Sequence, residues 1–176
     1  MTGSETTAKH WHEFREVGPE FVETAPVRYV TVGEIAAPPQ AVWDAFCDPE
    51  SWPRWFPHVE RVVHEGAPGV GMTRKSWVAG CAHVETMVIW DEPRAWGYIV
   101  NRATEPLAAA QLELTTFDPT PDGGTRVTWT LACEPLEGMG FLSAGQDFPT
   151  FLKAILDEAL EGLTDYLASA VRAGPS

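Results

Sequence analysis

The sequence predicts an α+β protein in which one curved antiparallel sheet of about seven strands wraps around a long C-terminal helix. Six segments between residues 58 and 134 are rich in β-branched and aromatic residues and are separated by glycine- and proline-containing turns. A similar segment precedes them at residues 27–35, and an apolar stripe of helical period runs from Phe148 to Val171. The predicted order is therefore strand, two short helices, six strands and a long helix.

Prolines delimit the first strand and the first helix. Residues 27–35 have the composition of a strand, which Pro38 and Pro39 end. Pro39 suits the first turn of a helix, because the N–H that it lacks has no partner there in any helix. Val42 and Phe46 lie four residues apart and predict a short amphipathic helix.

Three aromatic residues and three prolines crowd the next segment, residues 48–57. One long helix is excluded, since Pro53 would remove an internal hydrogen bond. We expect a turn and then a single helical turn that the side chain of Ser51 caps. Trp52 and Trp55 are expected to close the space between the sheet and the long helix.

The six later strands are expected in hairpin order. Alternation is clearest in the last one, where four apolar side chains share one face: Val127, Trp129, Leu131 and Cys133. Gly80 and Cys81 are expected in a turn. The strands are predicted near residues 58–66, 72–80, 82–91, 95–103, 107–118 and 125–134.

Length and charge limit the possible partners. A chain of 176 residues fits one domain, predicted at 27–173. The formal charge of −13 argues against a nucleic acid and against an anionic membrane surface, because both attract basic residues. We expect no membrane insertion and, because the N-terminus has no apolar run, a cytoplasmic location. The oligomeric state stays open between monomer and homodimer.

The N-terminal extension, residues 1–26, is expected to be partly disordered. Isolated aromatic residues at Trp11, Phe14 and Phe21 suggest that residues 10–26 form an arm. The arm can dock on the domain or on a second subunit, and the sequence leaves both open.

The cysteines and histidines show no metal-binding spacing. Cys47, Cys81 and Cys133 lie far apart and are expected to be buried free thiols in a reducing compartment. The H-x-E spacing of His83 and Glu85 occurs in zinc deaminases, but no P-C-x-x-C follows it. We therefore expect no metal and no cofactor.

The element order, together with specific residues, resembles the START-like, or SRPBCC, superfamily and more narrowly its polyketide cyclase/dehydrase branch. The resemblance spans about residues 27–171. It implies the helix-grip fold and a cavity between the sheet and the long helix, in a family that includes lipid and hormone carriers and polyketide aromatase/cyclases. The matching segments are Ile35–Asp44 with Phe46, Asp48–Trp55, Gly69–Gly71, Asp91–Arg94 and Gly123–Trp129.

Four polar residues are candidates for the chemistry of such a cavity: Arg74, His83, Glu85 and Tyr98. His83 and Glu85 lie two apart on one strand and share a face. An imidazole can act as a general base near neutral pH, and a carboxylate can orient it. The alternative is that this face is exposed to solvent, since Val84 and Val88 on the opposite face form the better apolar wall. Tyr98 can donate to a ligand carbonyl or can be an ordinary core tyrosine.

Aromatic and aliphatic side chains are the candidates for the cavity wall, because ligand sites are mostly apolar with few polar anchors. The alternative is ordinary core packing against the long helix. The candidates are Trp55, Trp77, Met87, Trp96, Tyr98, Trp129, Phe148, Leu152 and Ile155.

Three functions are compatible with this sequence. The first is binding of an apolar or aromatic, polyketide- or lipid-like small molecule in the cavity. The second is a cyclase, aromatase or dehydratase that acts on such a substrate. The third is a non-catalytic stress- or chaperone-related interaction module that uses residues 10–26 as its contact surface.

Overall fold

The computed structural model describes residues 10–136 and 148–173, with the side chains of 148–153 and 171–173 left undescribed. It confirms the α+β fold and every predicted strand. Residues 1–9, on which the expected disorder falls, lie outside the described ranges. The elements are β1 His12–Glu13, α1 Phe21–Thr24, β2 Val27–Ile35, α2 Pro39–Cys47, α3 Trp52–Trp55, β3 Val59–Glu65, β4 Thr73–Val78, β5 Cys81–Asp91, β6 Ala95–Ala103, β7 Ala110–Pro119, β8 Thr125–Glu134 and α4 Phe148–Ala173.

One antiparallel sheet in the order β2-β8-β7-β6-β5-β4-β3 forms the body of the molecule. The β5–β6 pairing shifts register twice, between Val84 and Glu85 and between Met87 and Ile89. Such irregularities bend a sheet and increase its twist. The sheet therefore curves around the side that faces α4.

The N-terminal arm docks on the chain's own sheet. β1 pairs with the end of β6, beyond the point where the β6–β7 register stops. Phe14 joins the main core, while Phe21 and Val22 of α1 pack on the outer face of the sheet. The aromatic side chains Phe14 and Phe21 are thus buried against the domain itself, while most other residues of the arm stay exposed or half-buried.

The two short helices bring aromatic rings to one end of the interior. α2 begins at Pro39 as expected. Phe46 is fully buried and lies at the centre of the ring cluster, with ring centroids 5.0–5.5 Å away. These rings belong to Trp52, Trp55, Trp96, Phe117 and Trp129.

Ser51 does not cap α3 with its side chain, so that prediction was wrong. Its Oγ donates to the carbonyl oxygen of Ala45 and accepts a hydrogen bond from Trp55 Nε1. A second bond, from Trp52 Nε1 to the carbonyl oxygen of Phe46, fixes the other indole. The serine therefore ties α3 to α2, and the tryptophans are held in place by their N–H groups.

The long helix α4 lies across the sheet and against α3. Gly162 faces the carbonyl oxygen of Trp55 so closely that a Cβ at this position would overlap it. Only glycine allows the two backbones to approach in this way. Within the described ranges, no helix is both long and apolar enough to cross a bilayer.

Candidate functional site

A cavity of about 320 Å³ lies between the sheet and α4, next to the aromatic cluster. Alternate residues of β4, β5, β6, β7 and β8 face it, because successive side chains of a strand point to opposite faces. Its apolar wall includes Trp52, Val100, Trp129, Leu131 and Ile155. Its polar lining is concentrated on β4, β5 and β7: Arg74, Ser76, Cys81, His83, Glu85, Gln111 and Glu113.

A buried ion pair forms part of this lining. Arg74 and Glu85 face each other across β4 and β5, each about 2% exposed, and Arg74 Nη1 donates to Glu85 Oε2. Ser76 Oγ donates to the other carboxylate oxygen at 2.8 Å. Both oxygens of Glu85 are therefore engaged, as the burial of a charge requires.

The guanidinium of Arg74 lies against aromatic rings at the inner end of the cavity. Its Cζ is 4.4 Å from the ring centroid of Trp52 and 5.1 Å from that of Tyr98. Such contacts stabilise a cation that has lost its water. Arg74 Nε is buried and has no hydrogen-bond partner among the described residues. Because Arg74 lines the cavity, a small shift of its side chain would offer this N–H to a guest.

A second carboxylate, Glu113 on β7, collects hydrogen bonds from three side chains. Trp129 Nε1 donates at 2.9 Å and Gln111 Nε2 at 3.1 Å. Tyr98 is the third partner. Burial raises the pKa of Glu113 above its ordinary value, although the hydrogen bonds from Trp129 and Tyr98 oppose the shift.

The hydroxyl of Tyr98 stays protonated near neutral pH. Burial, followed by the negative fields of Glu113 and Glu85, raises the pKa of Tyr98 well above its ordinary value. A phenol in this state acts as a hydrogen-bond donor or acceptor and not as a base. The structure thus places Tyr98 in the cavity wall and beside a side-chain carboxylate, which neither sequence-based alternative included.

His83 faces the cavity together with Cys81, two residues earlier on β5. Burial lowers the pKa of His83, but the hydrogen bond with Cys81 and the charge of Glu85 outweigh burial and raise it. Its Nδ1 is buried and has no hydrogen-bond partner among the described residues. His83 is therefore the group in this cavity best suited to exchange a proton near neutral pH.

The structure brings the four polar candidates to one cavity, so the solvent-facing alternative for His83 and Glu85 was wrong. The physical reason lies on the other face of β5, where Val88 packs against the cluster formed by the arm. Glu85 directs its hydrogen bonds to Arg74 and Ser76. The expected role of Glu85 in orienting His83 is therefore not the arrangement observed.

The apolar candidates divide into several groups. Trp129 and Ile155 line the cavity. Trp55, Met87 and Trp96 are at most 1% exposed and belong to the packed core.

Trp77 points to the opposite face of β4 from Arg74 and Ser76, where Arg61 lies over its ring at 5.1 Å. Its predicted place in the cavity wall was therefore wrong. The side chains of Phe148 and Leu152 lie outside the described residues.

Sequence reasoning missed several residues of the cavity. Glu113 and Gln111 alternate with apolar residues on β7, and that alternation was the available signal. Cys81 was expected in a turn but begins β5, because its pairing with Val78 extends the hairpin. Ser76 offered no signal, since an isolated serine is common on any strand.

The three cysteines are free among the described residues, and only Cys47 is not fully buried. The described residues contain no group of three or more histidine, cysteine, aspartate or glutamate side chains able to hold a metal ion.

Comparison with known proteins identifies the family of this chain. The family model described as polyketide cyclase / dehydrase and lipid transport matches residues 26–168. The chain belongs to this family. Proteins with similar sequences include the uncharacterised proteins Rv2574 of Mycobacterium tuberculosis and Mb2604 of Mycobacterium bovis. Each is 29% identical over 119 residues, which cover 66% of this chain and 71% of the relative.

Several solved structures share the helix-grip fold of this chain. Ara h 8.0201 superposes with a TM-score of 0.64 at 15% identity, covering 81% of this chain and 98% of its own. Protein CV1439 of Chromobacterium violaceum gives a TM-score of 0.63 at 16% identity and covers 81% and 97%. At these identities the likeness shows the fold alone.

Proposed function

We propose that the protein binds an apolar or aromatic, polyketide- or lipid-like small molecule in the cavity between the sheet and α4. One observation carries the proposal. The cavity combines an apolar wall with a few converging polar groups, which is the composition of small-molecule sites. A hydrophobic ligand is also what the family description supports in general.

The polar groups suggest how such a ligand is oriented. Arg74 and His83 line the cavity, and their Nε and Nδ1 lack partners among the described residues, so a ligand oxygen that reaches them after a small side-chain shift can satisfy them. An unpaired buried polar group costs about 1–3 kcal/mol, which a correctly placed carbonyl or hydroxyl recovers. The proposed ligand is therefore an apolar body that carries oxygen atoms.

Tryptophan fluorescence tests the proposal by titration with three ligand classes: aromatic polyketides, flavonoids and fatty acids. Trp129 lines the cavity, whereas Trp77 lies on the other face of β4. We expect a saturable change with at least one class, reduced in Trp129→Phe and retained in Trp77→Phe. The absence of any change with all three classes would contradict the proposal.

A second function, cyclisation of a polyketide-like substrate, is favoured by the position of His83. As a general base, its ring can remove a proton from a methylene group between two carbonyls. Arg74 and the protonated Tyr98 can polarise those carbonyls from the same cavity. The test is addition of the protein to a polyketide synthase reaction, with product regiochemistry as the readout. If His83→Ala and Tyr98→Phe both leave the products unchanged, these roles are wrong.

A further inference from the structure

A thiol and an imidazole face the cavity from one strand. Cys81 and His83 are separated by a single residue on β5, so both side chains project from the same face, and both line the cavity. The ligand proposed above gives these groups no covalent role. Their proximity to each other and to the cavity suggests that they have a covalent role.

The surroundings of Cys81 favour the thiolate form. Thr104 Oγ1 donates to Cys81 Sγ at 3.7 Å, Sγ contacts the carbonyl oxygen of Ala82 at 3.8 Å, and the His83 side chain lies close to the thiol. Burial raises the pKa of Cys81, but the contacts with His83 and Thr104 outweigh burial and lower the pKa below its ordinary value. The thiolate, and not the thiol, is the nucleophile in cysteine chemistry.

The other two cysteines provide an internal comparison. Burial raises the pKa of Cys47 to about 12 and that of Cys133 to about 11. Neither of them lines the cavity. A reactive thiol is thus expected at one of three positions, and that position is inside the cavity.

Arg74 supplies an independent feature of the same cavity that a ligand would satisfy. Its side chain is 2% exposed, lines the cavity and carries the unpartnered Nε described above. Arg74 pairs with Glu85, which lies four residues from Cys81, or roughly 13 Å along an extended strand. A ligand that contacts both groups is therefore elongated and carries a hydrogen-bond acceptor at the end near Arg74.

We propose that Cys81 adds covalently to an activated alkene conjugated to a carbonyl, in a ligand held in this cavity, and that His83 takes up and returns the proton. A bond forms between Sγ and the β-carbon while the π bond of the alkene breaks. The electron pair moves to the carbonyl oxygen as an enolate. The thiol proton, held on His83, then passes to the α-carbon.

This addition balances without a further reactant, because no group leaves and nothing is oxidised or reduced overall. Besides Cys81, the charged and titratable groups that line the same cavity are His58, Arg74, His83, Glu85, Tyr98, Glu105 and Glu113. The proposal rests on ligand binding in the cavity, and the test separates the two claims.

The test uses the full-length protein and two small aromatic ketones, 4-phenylbut-3-en-2-one, which has the activated alkene, and its saturated analogue. Intact-mass analysis with peptide mapping reports the adduct. We expect wild type and Cys47→Ser to gain the mass of one enone at Cys81, and Cys81→Ser to gain none. His83→Gln should react about 100–10,000-fold more slowly. The saturated ketone should compete without adding mass.

The pH dependence of wild-type alkylation by iodoacetamide gives a second readout that requires no variant. Cys81 should reach its half-maximal rate at a lower pH than an ordinary thiol, and Cys47 and Cys133 should remain unlabelled in the folded protein. An enone that binds reversibly without an adduct, or an equal adduct yield in Cys81→Ser, would overturn the proposal and leave ligand binding intact. Rapid alkylation at Cys81 without binding of either ketone would instead support the reactive thiol and count against ligand binding.

Discussion

The space between the sheet and α4 has two ends that are built differently. At one end, Phe46 is surrounded by five aromatic rings and little volume is left. At the other end, about 320 Å³ is unfilled and the walls carry ionisable groups. The difference indicates that the two ends have different roles. The aromatic end stabilises the fold, and the polar end is available for a ligand.

The first prediction concerns the aromatic end and has the largest expected effect. Trp55 is 1% exposed, and its N–H is bonded to Ser51. Trp55→Ala should lower the free energy of unfolding by about 3–5 kcal/mol. Denaturant unfolding measures it, with Val32→Ala as the control, since Val32 is 56% exposed. Loss of ligand binding at unchanged stability would instead make Trp55 part of a lid.

The second prediction concerns the buried ion pair, which belongs to the polar end yet adjoins the aromatic one. Arg74→Met leaves Glu85 as an uncompensated buried charge and should cost about 3–4 kcal/mol. The double variant Arg74→Met/Glu85→Leu removes both charges and should recover most of that loss. Unfolding of both variants decides the point: if the double variant is as unstable as the single one, packing matters more than charge.

A third prediction concerns pH. His64 on β3 is opposite Arg74, and burial together with that cation lowers the pKa of His64 to about 4. The unfolded chain therefore binds more protons than the folded one between pH 6.5 and 4, and stability falls as the pH falls through that window. Allowing for the partial exposure of His64, the loss is about 2 kcal/mol.

His64→Gln should flatten the stability curve in that window. The raised pKa of Glu113 acts in the opposite direction, since its folded state holds a proton to higher pH, but this contribution is common to both proteins and cancels in their difference. Parallel curves for wild type and His64→Gln would show that His64 is not shielded from solvent.

The smallest stability effect is expected at His83. Its Nδ1 has no partner to lose among the described residues and its contact with Cys81 is the interaction given up, so His83→Gln should change the free energy of unfolding by no more than about 1 kcal/mol. If His83→Gln lowers the free energy of unfolding as much as Trp55→Ala does, the two ends do not differ in their contribution to stability. Thermal melting of the two variants side by side makes this comparison.

The framework of this fold was predictable because its signals are local. Pro39 opens a helix in any context, and the alternation from Val127 to Cys133 places four residues in the core, all at most 5% exposed. The pattern at residues 48–57 likewise predicted a rigid connection rich in buried rings. These features depend on covalent geometry and on short-range periodicity.

The cavity face was harder to predict because the arm buries part of the outer face of the sheet as well. On β7, Leu112 faces outward under α1, while Glu113 faces inward. The usual inference that the apolar face is the core then gives the wrong side, and the same cause affected Val88 and His83 on β5. Only the docking of the arm, a long-range contact, explains why the outer side chains of β5 and β7 are the more apolar ones.

The central claim is that the polar end of the space between the sheet and α4 binds a ligand. The most direct test fills that end with a larger side chain. Val78 lines the cavity and is only half-buried, so Val78→Trp occupies the space with little strain. Its matched control is Val32→Trp on the exposed face of β2. Binding of anilinonaphthalene sulfonate and of whichever ligand class responds in the tryptophan titration is measured for both, with melting curves to verify folding. The account predicts that binding is lost in Val78→Trp and kept in Val32→Trp. Equal binding by both variants would contradict it.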